Sequence, residues 1–230
     1  GRLERAKRFR EVASSTSGVR GDLLLSLRLD ELYLDVSVDP GQVRLSVAAE
    51  FRRGWPIVLA AAVGLACGLG ALPIYSLGAL TKPMVDDLGW SRAEVQAVYS
   101  ALTIGNLVAA PALGWWLDRH GVRAVTLWST AAMAVGYVLI GLATQSLATA
   151  YVFAFFTAVF GVATTPIAWT RAIVSWFDAG RGQALGLALA GTGVSAALVP
   201  INTVWLVERF GWRGAYVGLA ALTVLVALPL

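Results

Sequence analysis

The sequence is poor in the residues from which soluble enzymes build active sites. It has one cysteine, Cys67, one histidine, His120, and only 14% charged residues among 230. A single cysteine excludes an intrachain disulfide, and Cys67 lies inside an apolar run, where a thiol packs as a small side chain. The sequence contains no nucleotide-binding glycine loop, no cluster of metal ligands and no nucleophile beside a base. We therefore expect no enzymatic activity, no metal and no cofactor.

The positive net charge does not indicate a nucleic-acid partner. The chain carries 18 basic and 14 acidic residues, a net charge of +4, but residues 1–50 hold eight of each. The excess belongs to residues 51–230, where Arg and Lys lie mostly at the ends of apolar runs, as in membrane proteins. Hydrophobic residues make up 57% of the chain and its mean hydropathy is +0.69. This composition predicts a membrane protein and no binding of nucleic acid.

Six long apolar runs follow one another after residue 50. Each has about the length that a helix needs to cross a bilayer, although the sixth has only 17 residues and we expect it to be cut short. The sequence therefore predicts an all-α membrane protein whose domain, 51–230, is a six-transmembrane-helix bundle. The predicted spans are 55–80, 92–117, 122–143, 147–177, 183–207 and 214–230.

Residues 1–50 form a polar segment without a spanning run. Residues 25–38 and 43–47 alternate apolar and polar side chains around a turn signal at 39–42, which allows a small β-hairpin. The chain begins with Gly1 rather than methionine. We expect this poorly structured N-terminal segment to be disordered or a small hairpin, and leave open whether it is native.

A charged turn at 114–123 joins the second and third runs. Its sequence resembles the loop signature of the major facilitator superfamily of secondary transporters. The resemblance implies a cytoplasmic loop whose charges latch the two halves of the transporter during gating. The alternative is a generic polar turn of a membrane hairpin. The matching positions, which we take as the gating loop, are Gly114, Asp118, Arg119, Gly121 and Arg123.

A weaker resemblance extends over 85–217. The stretches 88–92, 176–186, 190–193 and 211–213 look like the bacterial branch related to monocarboxylate and oxalate/formate carriers. The chain departs from the monocarboxylate pattern at 53–56, where those carriers have an acidic residue followed by two glycines, and at Ile74, where they commonly have lysine. The fifth span lacks the Gly-Pro motif of drug/proton antiporters.

The turn pattern recurs ninety residues later. Residues 118–123 and 208–213 both read acidic-basic-x-Gly-x-Arg, each between the second and third helices of a three-helix set. A 3+3 inverted repeat predicts such a correspondence, although the pattern is also that of a generic turn. With the N-terminus inside, inner loops hold six Lys or Arg and outer loops four, which favours a cytoplasmic N-terminus.

Polar side chains mark the first, second, fourth and fifth spans as candidates to line a substrate cavity. Arg171 is the one charge inside an apolar stretch, and a guanidinium can bind a carboxylate bidentately. Its alternatives are snorkelling to the interface and structural pairing. The predicted substrate-binding residues are Arg171, Tyr75, Asn106, Thr164, Thr192 and Asn202.

Together these patterns predict the N-terminal half of a major facilitator transporter in the cytoplasmic membrane. It would move a small organic anion by alternating access, in contact with lipid and with a missing C-terminal six-helix half. Coupling to a proton or ion gradient is left open. The alternatives are a six-helix membrane sensor or scaffold that transports nothing, a nonfunctional fragment, and efflux of drugs or other small molecules.

Overall fold

The computed structural model describes residues 24–29, 32–39, 42–45 and 47–227, with side chains from 47 to 225. The chain divides into two compact units, residues 1–50 and 51–230. The prediction of disorder for residues 1–23 lies outside the described residues.

The first unit contains an antiparallel sheet in its described part. Its strands are β1 (Leu24–Leu29), β2 (Leu32–Asp39) and β3 (Gln42–Leu45), in the order β1-β2-β3. Leu29 pairs with Leu32, and Asp39 with Gln42. The alternating stretch at 25–38 is therefore divided between two strands rather than forming one. The predicted turn residues Asp39 and Gln42 end β2 and begin β3.

The second unit consists of helices and short connections in its described part. Four segments of this described part are long and apolar enough to cross a membrane: Arg92–His120, Val122–Ala143, Leu147–Trp176 and Arg181–Leu225. The helical elements are α1 (Val47–Ala66), whose first four residues belong to the first unit, α2 (Leu72–Leu88), α3 (Arg92–His120), α4 (Val122–Ala143), α5 (Leu147–Gly161), a 3-10 turn (Val162–Thr164), α6 (Pro166–Trp176), α7 (Arg181–Leu222) and a π-helical turn (Thr223–Ala227).

Local sequence signals start and stop several of these helices. At the start of α3, Ser91 Oγ accepts from Glu94 N at 3.2 Å and Glu94 Oε2 accepts from Ser91 N at 2.7 Å. This capping box follows from the pattern Ser-x-x-Glu at 91–94 and satisfies N–H groups that the first turn leaves free. Gly121 lies between α3 and α4 and has φ 79° and ψ 153°. Few residues with a Cβ adopt a positive φ, so glycine suits this turn.

Two predicted spans are interrupted in the structure. The span at 55–80 consists of α1 and α2, separated at 67–71, where Gly68 and Gly70 lie. The span at 147–177 consists of α5 and α6, separated at 162–165 just before Pro166, which has no N–H to continue a helix. The fifth and sixth spans form the single helical run α7, which is broken at Gly211, with φ 70° and ψ 178°.

The helices pack closely around small residues. A Cβ on Gly105 of α3 would lie 2.5 Å from the carbonyl oxygen of Phe155 in α5, and one on Gly141 of α4 would lie 2.8 Å from that of Arg213 in α7. Such contacts let helix backbones approach where no side chain would fit. The main core cluster joins α2, α3, α4, α5 and α7, and its largest fully buried members include Tyr137, Leu72, Leu80, Met84 and Met133.

Candidate functional site

The two helix interruptions meet in the interior of the second unit. Leu69 N, in the break between α1 and α2, donates to Thr164 Oγ1, in the break between α5 and α6, at 3.0 Å. The same hydroxyl donates to Gly161 O at 2.8 Å. A Cβ on Gly68 would collide with the carbonyl oxygen of Thr164. The two breaks therefore support each other, and we call this contact the junction (67–71 and 162–165).

Helix α7 supports the junction from a third direction. Ser195 Oγ donates to the carbonyl oxygen of Ala66, the last residue of α1. One turn earlier, Gly191 lies so close to the carbonyl oxygen of Ala62 that a Cβ would not fit. Backbone groups released by a break inside an apolar run need such partners, because no water is available there. Glycine and serine at these positions supply the space and the hydrogen bond.

Two helices begin at the junction. Both α2 and α6 have proline in the first turn and no side-chain cap. A Cβ on Gly70 would lie 3.8 Å from Cδ of Pro166, so the two amino ends are neighbours, and both residues are exposed. The amino end of a helix carries partial positive charge. At the start of α2, Leu72 N already donates to Gly68 O at 3.1 Å, and neither Pro73 nor Pro166 has an N–H. The junction thus presents two positive helix ends on an open face.

The predicted substrate-binding residues are distributed over the unit. Among the described contacts, Thr164 is the only one of the six that joins the two breaks, and it is 3% exposed. Tyr75 on α2 is half-buried against the main core. Asn106 on α3 is half-buried, and its Oδ1 is buried without a hydrogen-bond partner. On α7, Thr192 donates to Leu189 O at 2.7 Å and Asn202 is half-buried.

The side chain of Arg171, on α6, contacts the end of α3 and takes no part in the junction contacts described above. Its Nη2 is 2.9 Å from Asp118 Oδ1, and its Nη1 donates to Gly114 O at 3.3 Å. Both side chains are exposed, by 46% for Arg171 and 66% for Asp118. This geometry matches the structural pairing that the sequence leaves as one alternative. Contact between Arg171 and a substrate stays a prediction.

The predicted gating loop forms the corner between α3 and α4. Asp118 and Arg119 lie in the last turn of α3, and the guanidinium of Arg119 lies 5.5 Å from the centre of the Trp115 ring. Gly121 makes the turn, and Arg123 is exposed at the start of α4. The corner is therefore tied to α6 through Asp118 and Arg171. It is otherwise open to solvent or to lipid head groups.

Sequence reasoning missed a second polar cluster at the break in α7. Trp212 Nε1 donates to Asp87 Oδ2 at 2.8 Å, and Arg213 Nη1 donates to the carbonyl oxygens of Gly141 and Thr144, both at 3.2 Å. The repeated turn pattern marks Trp212 and Arg213 as candidates. No local signal connects them to Asp87, which is 125 residues away.

Comparison with known proteins identifies the family. The family model described as Major Facilitator Superfamily matches residues 63–230. Human monocarboxylate transporter 11 is 32% identical over 171 residues, which cover 74% of this chain and 36% of the relative. The oxalate:formate antiporter of Oxalobacter formigenes is 29% identical over 163 residues, 70% of this chain and 38% of the relative. A triacylglyceride transporter of Mycolicibacterium hassiacum is 29% identical over 157 residues, 66% of this chain and 29% of the relative.

The matched region spans about a third of the length of these relatives. Each relative is named as a transporter, in agreement with the expectation that the chain is not an enzyme. The resemblance to monocarboxylate and oxalate/formate carriers is confirmed at the level of the family. With its long apolar helices, the chain is a multi-pass membrane protein of the Major Facilitator Superfamily.

Proposed function

We propose that this chain is the amino-terminal six-helix half of a carrier that moves a small solute by alternating access across the cytoplasmic membrane. The six membrane segments are α1 with α2, α3, α4, α5 with α6, and the two parts of α7 on either side of Gly211. With the amino terminus in the cytoplasm, the corner between α3 and α4 faces the cytoplasm too. The second wall of the cavity belongs to a C-terminal half.

The junction is the observation that carries this proposal. In carriers built from inverted repeats, interrupted helices at corresponding positions of the two repeats mark the substrate site. Here the first segment of each three-helix set is interrupted, and Leu69 and Thr164 join the two interruptions. A scaffold without transport has no need of two broken helices that meet inside an apolar bundle, where each break exposes backbone groups that must find partners.

The two corner glycines support a 3+3 repeat. Gly121 has φ 79° and ψ 153°, and Gly211 has φ 70° and ψ 178°. They occupy the same position in the pattern acidic-basic-x-Gly-x-Arg, ninety residues apart. Two turns with the same sequence pattern and nearly the same rare backbone conformation are what duplication of a three-helix unit would leave.

A small organic anion is the substrate class that the junction favours. The uncapped amino ends of α2 and α6 lie side by side there, and half-helix amino ends bind anionic groups of substrates in other carriers. Two of the relatives are named for monocarboxylate and for oxalate and formate. Asp118 and Gly114 already bind the side chain of Arg171 in this structure. We therefore propose gating as the main role of Arg171 and contact with the anion as its second role.

An apolar solute is the second candidate, because one relative is named for triacylglyceride. The discriminating experiment is uptake by the complete protein, reconstituted in vesicles, of labelled oxalate and lactate against a neutral lipid and an organic cation. Saturable uptake of a carboxylate supports the anion carrier. Saturable movement of the neutral lipid alone would replace it with the second candidate.

The Thr164→Val variant tests the junction directly. Loss of the hydroxyl leaves the N–H of Leu69 buried without a hydrogen-bond partner, which destabilises the junction. If the junction must form in the transport cycle, we expect the uptake rate to fall by about tenfold. Thr203→Val is the matched control, because Thr203 is also fully buried but donates only within its own helix, to Val199 O at 2.7 Å. Equal uptake by both variants at equal expression would remove the junction from the mechanism.

A further inference from the structure

A groove lies at the α3–α4 corner, and neither Asp118 nor Arg171 is among its lining residues. Its volume is about 260 Å³, and its lining residues are Trp116, His120, Ala124, Val125 and Trp128. The two tryptophans belong to the end of α3 and the second turn of α4, so the groove straddles the corner. Trp128 is 73% exposed, a large value for an indole with no polar partner among the described residues. We call this feature the corner groove.

Two arginines bring positive charge to the corner that carries the groove, although neither lines it. Arg119 and Arg123 are adjacent in sequence to lining residues, and in the part of the chain with described side chains neither forms an ion pair. The only carboxylate in the corner, Asp118, is already paired with Arg171. The groove also adjoins the start of α4, a helix of 22 residues whose N-cap, Gly121, provides no side-chain hydrogen bond. Basic side chains and an uncapped helix start both favour an anion.

The walls of the corner groove are suited to a lipid rather than to a free anion. Indole rings accumulate at the boundary between hydrocarbon and head groups, where one edge is apolar and the other is wet. A charged corner of a multi-pass membrane protein lies at that boundary, so the groove is continuous with the lipid surface. His120 Nδ1 is 3.4 Å from Trp116 O, and this contact holds the imidazole at the rim.

We propose that the corner groove binds the head group of one anionic glycerophospholipid from the adjacent leaflet. Its phosphate lies at the start of α4 beside Arg123, and its glycerol and upper acyl chain lie against Trp116 and Trp128. This site is independent of the substrate and of the junction. It requires only that the chain spans a membrane and that the corner lies at the membrane surface.

The test is native mass spectrometry of the complete protein in detergent, titrated with phosphatidylglycerol or with phosphatidylcholine of the same acyl chains. We expect one phosphatidylglycerol to be retained in preference to phosphatidylcholine. Arg123→Gln should weaken this binding by about fivefold, the effect expected of one basic residue near a lipid surface. Trp128→Leu should also weaken it, because it removes the exposed indole against which the lipid lies. Soluble glycerol 3-phosphate should not displace the lipid if the indole walls contribute to binding.

The matched controls are Arg209→Gln and Trp205→Leu, at the break in α7. Trp205 is 49% exposed and Arg209 lies 5.6 Å from its ring centre, so this pair is also an exposed indole with a cation. Unchanged lipid retention in the controls supports a specific site. The proposal is overturned by an equal loss in controls and groove variants, by equal retention of phosphatidylcholine, or by no retained lipid in the complete protein, which would mean that the second half covers the groove.

Discussion

The two corners of the bundle have the same sequence pattern but different surroundings. One corner joins α3 to α4 at 118–123, and the other interrupts α7 at 208–213. Both place a glycine with positive φ and extended ψ between an acidic-basic pair and an arginine. The local sequence therefore determines the turn in both places. It does not determine what the turn is attached to.

The attachments differ in burial. At the first corner, Asp118 and Arg171 form an ion pair in which both side chains are exposed, and the nearby Trp115 is 63% exposed. At the second corner, Trp212 is 4% exposed and hydrogen-bonded to Asp87, and Arg213 lies 4.4 Å from the centre of the Trp212 ring while it binds two carbonyl oxygens. Water and salt compete for the first set of contacts and are excluded from much of the second.

On the basis of this difference we propose different tasks for the two corners. A contact that must break and form again in each transport cycle has to be weak, and an exposed ion pair is weak. A contact that keeps helices together throughout the cycle has to be buried. We therefore infer that the first corner opens during gating, whereas the second corner holds the ends of α2, α4 and α7 together.

The largest expected difference between the corners is in the cost of removing a tryptophan. Trp212→Ala removes a buried indole and should lower the free energy of unfolding by about 3–5 kcal/mol. Trp115→Ala removes an exposed indole and its contact with Arg119, and should cost less than about 1 kcal/mol. Melting temperatures of the complete protein in one detergent measure both.

Trp212→Phe divides the larger effect into its parts. It keeps most of the ring but leaves Asp87 without its indole donor, so the remaining loss reports the hydrogen bond. If Trp115→Ala lowered the melting temperature as much as Trp212→Ala, the distinction between an open and a buried corner would be wrong.

Replacing a corner glycine with alanine should have a smaller effect on stability, and the same effect at both corners. Nothing lies within 4 Å of a Cβ built on Gly121 or Gly211, so an alanine there meets no neighbour and pays only for its positive φ. Positive φ with extended ψ is a conformation that almost only glycine adopts, so we expect Gly121→Ala and Gly211→Ala each to cost about 1–3 kcal/mol. Gly182→Ala is the control, because Gly182 is equally uncrowded but has no positive φ. Unequal costs at the two corners would show that their backbones are not equivalent.

The sequence predicted features that depend on neighbours in the chain. The capping box of Ser91 and Glu94 and the corner at Gly121 follow from a few adjacent residues. The breaks at 67–71 and 162–165 could not be predicted in this way, because Gly64 and Gly68 are equally typical of close helix packing in an unbroken span. The partner of Thr164 is 95 residues away in the chain, and that of Arg171 is in another helix. Only the packing of the bundle brings these groups together.

The smallest expected effect concerns the ion pair of the first corner. Because Asp118 and Arg171 are 66% and 46% exposed, their interaction should contribute only about 0.2–1 kcal/mol to stability. A double-mutant cycle with Asp118→Asn and Arg171→Gln measures this coupling from four melting temperatures. The coupling should largely disappear at about 1 M salt, where exposed charges are screened within about 3 Å. The hydrogen bond between Trp212 and Asp87 should depend less on salt, because its donor is a neutral, buried indole, although Asp87 itself is exposed. A coupling between Asp118 and Arg171 that is large and persists in high salt would mean that the first corner is as firmly held as the second, and the gating role would then have to lie elsewhere in the bundle.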